Sequence, residues 1–165
     1  SALYSEVMVH PNSGIQFPVN EPRSANSQIQ EFLELNRGPG IQHLALKTRQ
    51  IPQVTRQLRA AGLSFLKVPS TYYTQLEDKH PQLHLPPQEW QEITAQEILV
   101  DCQEEADLAL LLQIFTEPIF AQPTFFFELI ERRFQAKGFG EGNFQALFEA
   151  IEREQVKRGS LSEWH

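Results

Sequence analysis

The chain has 165 residues, of which 14 are basic and 21 acidic, so its formal net charge is −7 at pH 7. An acidic chain without a segment rich in Lys and Arg is not expected to bind nucleic acid, and no apolar stretch is long enough to predict a membrane span. The length suits one domain with a sizeable core, and the single cysteine, Cys102, predicts a reducing, cytoplasmic setting without an internal disulfide.

The N-terminal segment predicts a hairpin followed by a helix. Extended patterns at residues 3–9 and 15–19 flank a turn cluster at 10–14, and residues 24–36 carry N-cap candidates and an apolar face before a Gly-Pro-Gly stop. Because a chain seldom begins in the middle of a sheet, we expect the preceding strands to belong to a longer parent. The hairpin edge that they would leave unpaired is expected to favour self-association.

From Gly40 onward the pattern predicts one mixed unit. Its predicted elements are a strand at 40–48, a helix at 51–61, a strand at 63–68, short surface helices within 69–97, and strands at 98–101, 108–116 and 124–132. This order is typical of an α+β fold in which an antiparallel sheet curls around a site. A glycine-rich lead from Gly138 then precedes a predicted helix at 144–151 that docks on the domain or on a pocket.

A carboxylate interrupts the apolar, aromatic strand predicted at 124–132. Glu128 shares a face with Phe126 and Ile130, where an unpaired buried carboxylate would cost several kcal/mol. A basic side chain or a metal ion could neutralise it, and the strand alone does not decide between them.

His43 is the histidine that lies inside a well-formed predicted strand. A histidine on an apolar strand face is more often a satisfied core residue than a ligand. Together with Glu128, however, it supplies two of the three donors of the two-His, one-carboxylate triad that holds non-haem Fe(II). The sequence gives no convincing third donor, because the prolines around His80 and His84 oppose a regular helix that could align that pair.

Gln113 is a further polar side chain on an apolar predicted strand, where it shares a face with Leu111 and Phe115. A core amide needs hydrogen-bond partners. Backbone groups, water or a substrate could provide them.

A set of motifs, in order along the chain, resembles the C-terminal domain of the 4-hydroxyphenylpyruvate dioxygenase family. The match runs from about Ser1 to Gly159 and leaves the tail 160–165 without an assigned role. The matching segments are 18–22, 27–30, 40–46, 69–73, 98–101, 111–116, 126–130 and 138–144.

The resemblance implies a vicinal-oxygen-chelate fold in which βαβββ modules form an open barrel. The first module would be truncated at the N-terminus, and the C-terminal helix would lie over the pocket. Residues 1–159 would be the catalytic domain that binds iron and substrate, with Fe(II) held by His43 and Glu128. Since the family's remaining histidine would precede Ser1, this chain alone is expected to be inactive.

The resemblance also implies a substrate pocket, with catalytic roles for Gln113 and Phe144. Gln42 is a member although strand alternation points it away from His43. The implied pocket residues are Ser5, Asn20, Gln28, Gln42, Gln113, Phe115, Phe126, Phe139, Asn143 and Phe144.

The implied activity is Fe(II)-dependent oxidative decarboxylation and ring hydroxylation of 4-hydroxyphenylpyruvate by O₂ to homogentisate, as in tyrosine catabolism. The full-length parent is expected to be a cytoplasmic homo-oligomer with neither membrane nor nucleic-acid partners. One alternative is hydroxymandelate synthase, which uses the same iron site and substrate. Another is a metal-free small-molecule-binding module of the same fold, against which His43 and Glu128 count.

Overall fold

The computed structural model describes residues 3–24, 27–81, 83, 85–102, 109–122, 124–134, 136–140, 143 and 146. It divides into two compact units, one of residues 1–42 with 118–125 and the other of residues 43–117 with 126–165. Apart from Ala146, the C-terminal helix predicted at 144–151 lies outside the described residues, as does its predicted place over the pocket. In the described part of the chain, no helix is both long enough and apolar enough to cross a membrane.

The first unit contains the predicted hairpin and helix. Strands β1 (Leu3–Val9) and β2 (Gln16–Pro22) pair antiparallel, so the hairpin is confirmed. Helix α1 (Gln28–Asn36) begins later than predicted, because the Ser27 hydroxyl accepts a hydrogen bond from the Gln30 N–H at 3.1 Å and acts as the N-cap.

The described residues of the second unit include the helices α2 (Ile51–Ala60), α3 (Ser70–Lys79) and α4 (Pro87–Ala95). The helix predicted at 51–61 and the short helices predicted within 69–97 are thereby confirmed. Helix α2 receives no side-chain cap from its own N-cap residue. Instead, the carboxylate of Glu131, 80 positions away, accepts the Ile51 N–H at 2.7 Å.

A four-stranded sheet forms the centre of the second unit. Its strands are β3 (His43–Lys47), β4 (Leu99–Cys102), β5 (Leu110–Phe115) and β6 (Phe126–Arg133), in the order β3-β6-β5-β4. The sheet is mixed rather than antiparallel as predicted, because β3 runs parallel to β6 while the other pairs are antiparallel. The helices lie between β3 and β4, so the unit reads as one βαβββ module with an enlarged helical connection.

The prediction of a strand at 63–68 is wrong. Only an isolated bridge forms there, between Phe65 and Thr116. The physical reason is that β5 already pairs with β4 on one side and β6 on the other. The segment can therefore reach only the end of β5, where the Leu66 N–H donates to the Phe115 carbonyl at 2.9 Å.

Alternating side chains give the sheet two different faces. Leu112, Ile114 and Leu129 pack against the helices in the main apolar cluster of the unit. The opposite face carries Phe115 and Phe126 in a second, smaller cluster. Gln113 and Glu128 interrupt the strands on this second face, whereas Glu131 lies on the helix side with Leu129.

Candidate functional site

Strands β3 and β6 bring His43 and Glu128 together. The parallel register pairs His43 with Phe126 and Ala45 with Glu128, so the imidazole and the carboxylate share one face two positions apart. His43 Nε2 lies 3.7 Å from Glu128 Oε2, which is beyond hydrogen-bond distance. The two atoms face each other without bonding directly.

Aromatic side chains hold the His43 ring. It stacks on Phe126 with the ring centroids 5.0 Å apart and the planes 14° apart, and Phe126 meets Phe115 edge-on at 6.2 Å. Burial lowers the pKa of His43, so its imidazole is neutral at pH 7. A neutral imidazole is the form that binds a metal ion.

Glu128 is 5% exposed, and its Oε1 accepts a hydrogen bond from Gln113 Nε2 at 2.8 Å. Burial raises the pKa of Glu128 to about 7, against the smaller lowering effects of the Gln113 hydrogen bond and the positive charge of Arg132. Near pH 7 the acid and the carboxylate are therefore both populated. A cation bound beside Oε2 would shift this balance towards the carboxylate.

Glu128 is the end of a buried polar network that also contains Gln113, Asn143 and Tyr72. Gln113 Nε2 donates to the Phe139 carbonyl at 3.0 Å as well as to Glu128, and Gln113 Oε1 accepts from Asn143 Nδ2 at 2.8 Å. The Tyr72 hydroxyl lies 2.9 Å from Asn143 Oδ1. Gln113 and Asn143 are 2% and 1% exposed, so this network excludes bulk water.

Gly140 leaves the space that Gln113 occupies. A Cβ atom at this position would overlap Gln113 Oε1 and lie 2.6 Å from Gln113 Cδ. The backbone φ of +78° also favours glycine. The approach of the segment around Gly140 to the site therefore requires a residue without a side chain.

The chain is similar to known proteins over nearly its whole length. A 4-hydroxyphenylpyruvate dioxygenase from Yarrowia lipolytica is 48% identical over 164 residues, which are 98% of this chain and 41% of that protein. One from Legionella pneumophila is 47% identical over 163 residues, 99% of this chain and 45% of that protein. Over nearly its whole length the chain is similar to 4-hydroxyphenylpyruvate dioxygenases. It spans less than half the length of these relatives.

A solved structure supports the fold of this chain. A mutant of 4-hydroxymandelate synthase from Streptomyces coelicolor superimposes with a TM-score of 0.79 and 34% identity, over 93% of this chain and 42% of that one. The predicted vicinal-oxygen-chelate fold is confirmed, and the described strands form open sheets rather than a closed barrel. No protein-family model matches the chain.

The residues predicted for the dioxygenase site fall in both units. His43, Gln113, Phe115, Phe126, Glu128, Phe139 and Asn143 belong to the second unit, whereas Ser5, Asn20, Gln28 and Gln42 belong to the first. Ser5 lies opposite Asn20 in the β1–β2 ladder, and both are exposed. Phe144 lies outside the described residues. The substrate roles of all these residues stay predictions.

Sequence reasoning missed Tyr72 and Gly140, which contact the buried polar network. Tyr72 lies in the matching segment 69–73, but nothing in its spacing distinguished it from Tyr73, whose hydroxyl donates to the Ile98 carbonyl at 3.1 Å. For Gly140, the sequence predicts only a place in the glycine-rich segment before the C-terminal helix. Gln113 alone indicated that such residues exist. A buried amide needs hydrogen-bond partners, but the sequence does not show which residues they are.

His43 and Glu128 could provide two of the ligands of an iron site. An imidazole nitrogen and a carboxylate oxygen are donors of the non-haem Fe(II) class, and two bonds of about 2.1 Å together exceed the gap between them, so one ion can reach both. The Nδ1 atom of His43 is buried and has no hydrogen-bond partner. Within the described ranges, no cluster of three or more His, Cys, Asp or Glu side chains could hold a metal.

Proposed function

We propose that this chain provides part of the iron and substrate site of an enzyme that converts 4-hydroxyphenylpyruvate and O₂ into homogentisate. The observation that carries the proposal is the approach of His43 Nε2 to Glu128 Oε2, at 3.7 Å, on a buried face lined by phenylalanines. Relatives of that name at 48% and 47% identity support it.

His43 and Glu128 would hold Fe(II), which supplies the activation of O₂ when bound. The side chains of this chain keep the two donors in place. Phe126 stacks on the imidazole and fixes its plane, while Gln113 holds Oε1 of Glu128 and leaves Oε2 turned towards His43. Each donor is therefore oriented before a metal arrives.

The aromatic face suits a phenol ring, because Phe115 and Phe126 offer apolar walls and exclude water. Gln113 has both amide hydrogens engaged, one by Glu128 and one by the Phe139 carbonyl. A substrate group would therefore meet its oxygen, or displace one of these partners. A cytoplasmic homo-oligomer remains our prediction for the longer protein.

A second candidate is hydroxymandelate synthase, which the solved structural relative favours at 34% identity. It would use the same donors and the same substrate, but the oxygen would enter the side chain rather than the ring. Because the two enzymes would share donors and substrate, only identification of the product distinguishes them.

A graft tests the proposal. The matched 164-residue segment of the Yarrowia lipolytica dioxygenase is replaced by this chain, and O₂ uptake with 4-hydroxyphenylpyruvate and Fe(II) is followed together with product identification by mass spectrometry. We expect homogentisate. His43→Ala and Glu128→Ala should each abolish uptake, whereas His10→Ala, at the exposed hairpin turn, should retain it.

A folded graft without turnover would contradict the proposal. Formation of 4-hydroxymandelate would establish the second candidate. Turnover that survives Glu128→Ala would refute the role of the carboxylate.

A further inference from the structure

The hydrogen bonds of the buried polar network run in one direction from Tyr72 to Glu128. The Tyr72 hydroxyl accepts from the Val100 N–H at 2.8 Å and shares its single hydrogen between the Val100 carbonyl, at 3.0 Å, and Asn143 Oδ1, at 2.9 Å. Asn143 then donates to Gln113, and Gln113 to Glu128. Each group in the series acts as acceptor and then donor, so consecutive bonds polarise one another. The series ends on the carboxylate that faces His43.

The orientation of both amides is determined by these contacts. The Phe139 carbonyl can only accept, so the Gln113 group that faces it and Glu128 must be the NH₂. Gln113 Oε1 then faces Asn143, which must present its own NH₂. The remaining atom, Asn143 Oδ1, faces Tyr72 and needs a donor.

The Tyr72 hydroxyl is held by the backbone of the outer strand. Both the N–H and the carbonyl of Val100, in β4, lie within 3.0 Å of the hydroxyl oxygen. Burial raises the pKa of Tyr72, so the hydroxyl keeps its proton. Helix α3 thus connects the sheet edge to the segment that carries Phe139, Gly140 and Asn143.

We propose that Tyr72 is a positioning residue for the iron and substrate site: its hydroxyl orients the amide of Asn143, which orients that of Gln113, which holds Glu128 towards His43. This inference rests on the proposed function for the identity of the metal. The network itself does not depend on it.

The test compares Tyr72→Phe with Tyr73→Phe in the whole chain. The two tyrosines are adjacent in α3, and each hydroxyl bonds to the β4 segment, but only Tyr72 contacts Asn143. The first readout, without metal, is hydrogen exchange of the Gln113 side-chain NH₂ by NMR. The second is the affinity for Co(II), followed by its visible absorption as a substitute for Fe(II).

We expect Tyr72→Phe to accelerate Gln113 exchange at least tenfold and to weaken Co(II) binding about tenfold, as for loss of a group that orients a metal ligand. Tyr73→Phe should match the wild type in both. Asn143→Leu, which removes the direct partner of Gln113 Oε1, should accelerate Gln113 exchange at least as much as Tyr72→Phe.

Unchanged Gln113 exchange in Tyr72→Phe, or equal effects of Tyr72→Phe and Tyr73→Phe, would overturn the inference. If Tyr72→Phe releases the Gln113 amide in this chain while the folded graft shows no turnover, the proposed function fails and the orienting role of Tyr72 stands.

Discussion

At the residue scale, the buried carboxyl of Glu128 links stability to pH. Its pKa is raised from 4.5 to about 7 by burial, so the folded chain holds this proton to higher pH than the unfolded chain does. The folded chain therefore loses stability between pH 4.5 and about 7, where it still holds the proton that the unfolded chain has released; the loss is absent below pH 4.5 and complete above pH 7. The full penalty is about 3 kcal/mol for a shift of this size.

Glu128→Gln should therefore stabilise the metal-free chain at pH 8 by about 2 to 3 kcal/mol and change its stability little at pH 4.5. Urea denaturation with a chelator present measures this. Glu34→Gln, which alters an exposed glutamate of α1, is the control and should stay within about 0.5 kcal/mol at both pH values. An equal effect of Glu128→Gln at both pH values would show that burial does not raise the pKa of this carboxyl.

Gly140 provides a second test at this scale. Gly140→Ala should displace Gln113, because the added Cβ overlaps its amide at a positive φ. We expect accelerated exchange of the Gln113 NH₂ and a loss of about 2 kcal/mol or more of unfolding free energy.

Gly62→Ala is the matched control, since Gly62 also has a positive φ, of +93°, but a Cβ there meets nothing within 4 Å. It should show the backbone strain alone, about 1 kcal/mol, without any effect on Gln113. Equal losses in the two variants would mean that the overlap with Gln113 is relieved at no cost.

At the scale of elements, the N-terminus of α2 depends on a residue from β6. Glu131→Ala removes the acceptor of the Ile51 N–H and leaves this donor buried, so we expect a loss of about 1 to 3 kcal/mol. Urea denaturation and amide exchange in the first turn of α2 measure it. Glu34→Ala, at an exposed position of α1, should change stability by less than about 0.5 kcal/mol. Unaltered exchange at Ile51 would show that water replaces the carboxylate.

Periodicity predicted most of these elements, because the apolar spacing of the strands and helices reports directly on burial. It failed at 63–68, where the alternation of a strand is present but β5 offers only the isolated bridge at Thr116. The bonds of Tyr72 to Asn143 and of Glu131 to Ile51 join residues 71 and 80 positions apart. Local pattern carries no information on such pairs, whereas His43 and Glu128 were found because each is polar on an apolar strand.

At the scale of the whole molecule, the hairpin of the first unit exposes large apolar side chains. Met8 and its cross-strand partner Phe17 are 61% and 58% exposed, and Val9 is 56% exposed. Such a surface favours association between copies. We expect sedimentation velocity to show a sedimentation coefficient that rises with concentration, and Phe17→Lys to reduce this rise.

Thr71→Lys adds the same charge at an exposed position of α3 and is the control. It should leave the association unchanged. A chain that stays monomeric at all concentrations, or an equal response to both lysines, would contradict the role of the hairpin.

The parallel pairing of β3 with β6 also has a consequence for the order of folding. Among the described strands of their unit, the two that carry His43 and Glu128 come first and last in the chain, with α2, α3, α4, β4 and β5 between them. Contacts between residues so distant in sequence close a large loop and form slowly. During synthesis on the ribosome, α2 would therefore lack the Glu131 carboxylate that caps it until β6 had been made. The strand β3 would have no β6 to pair with until then.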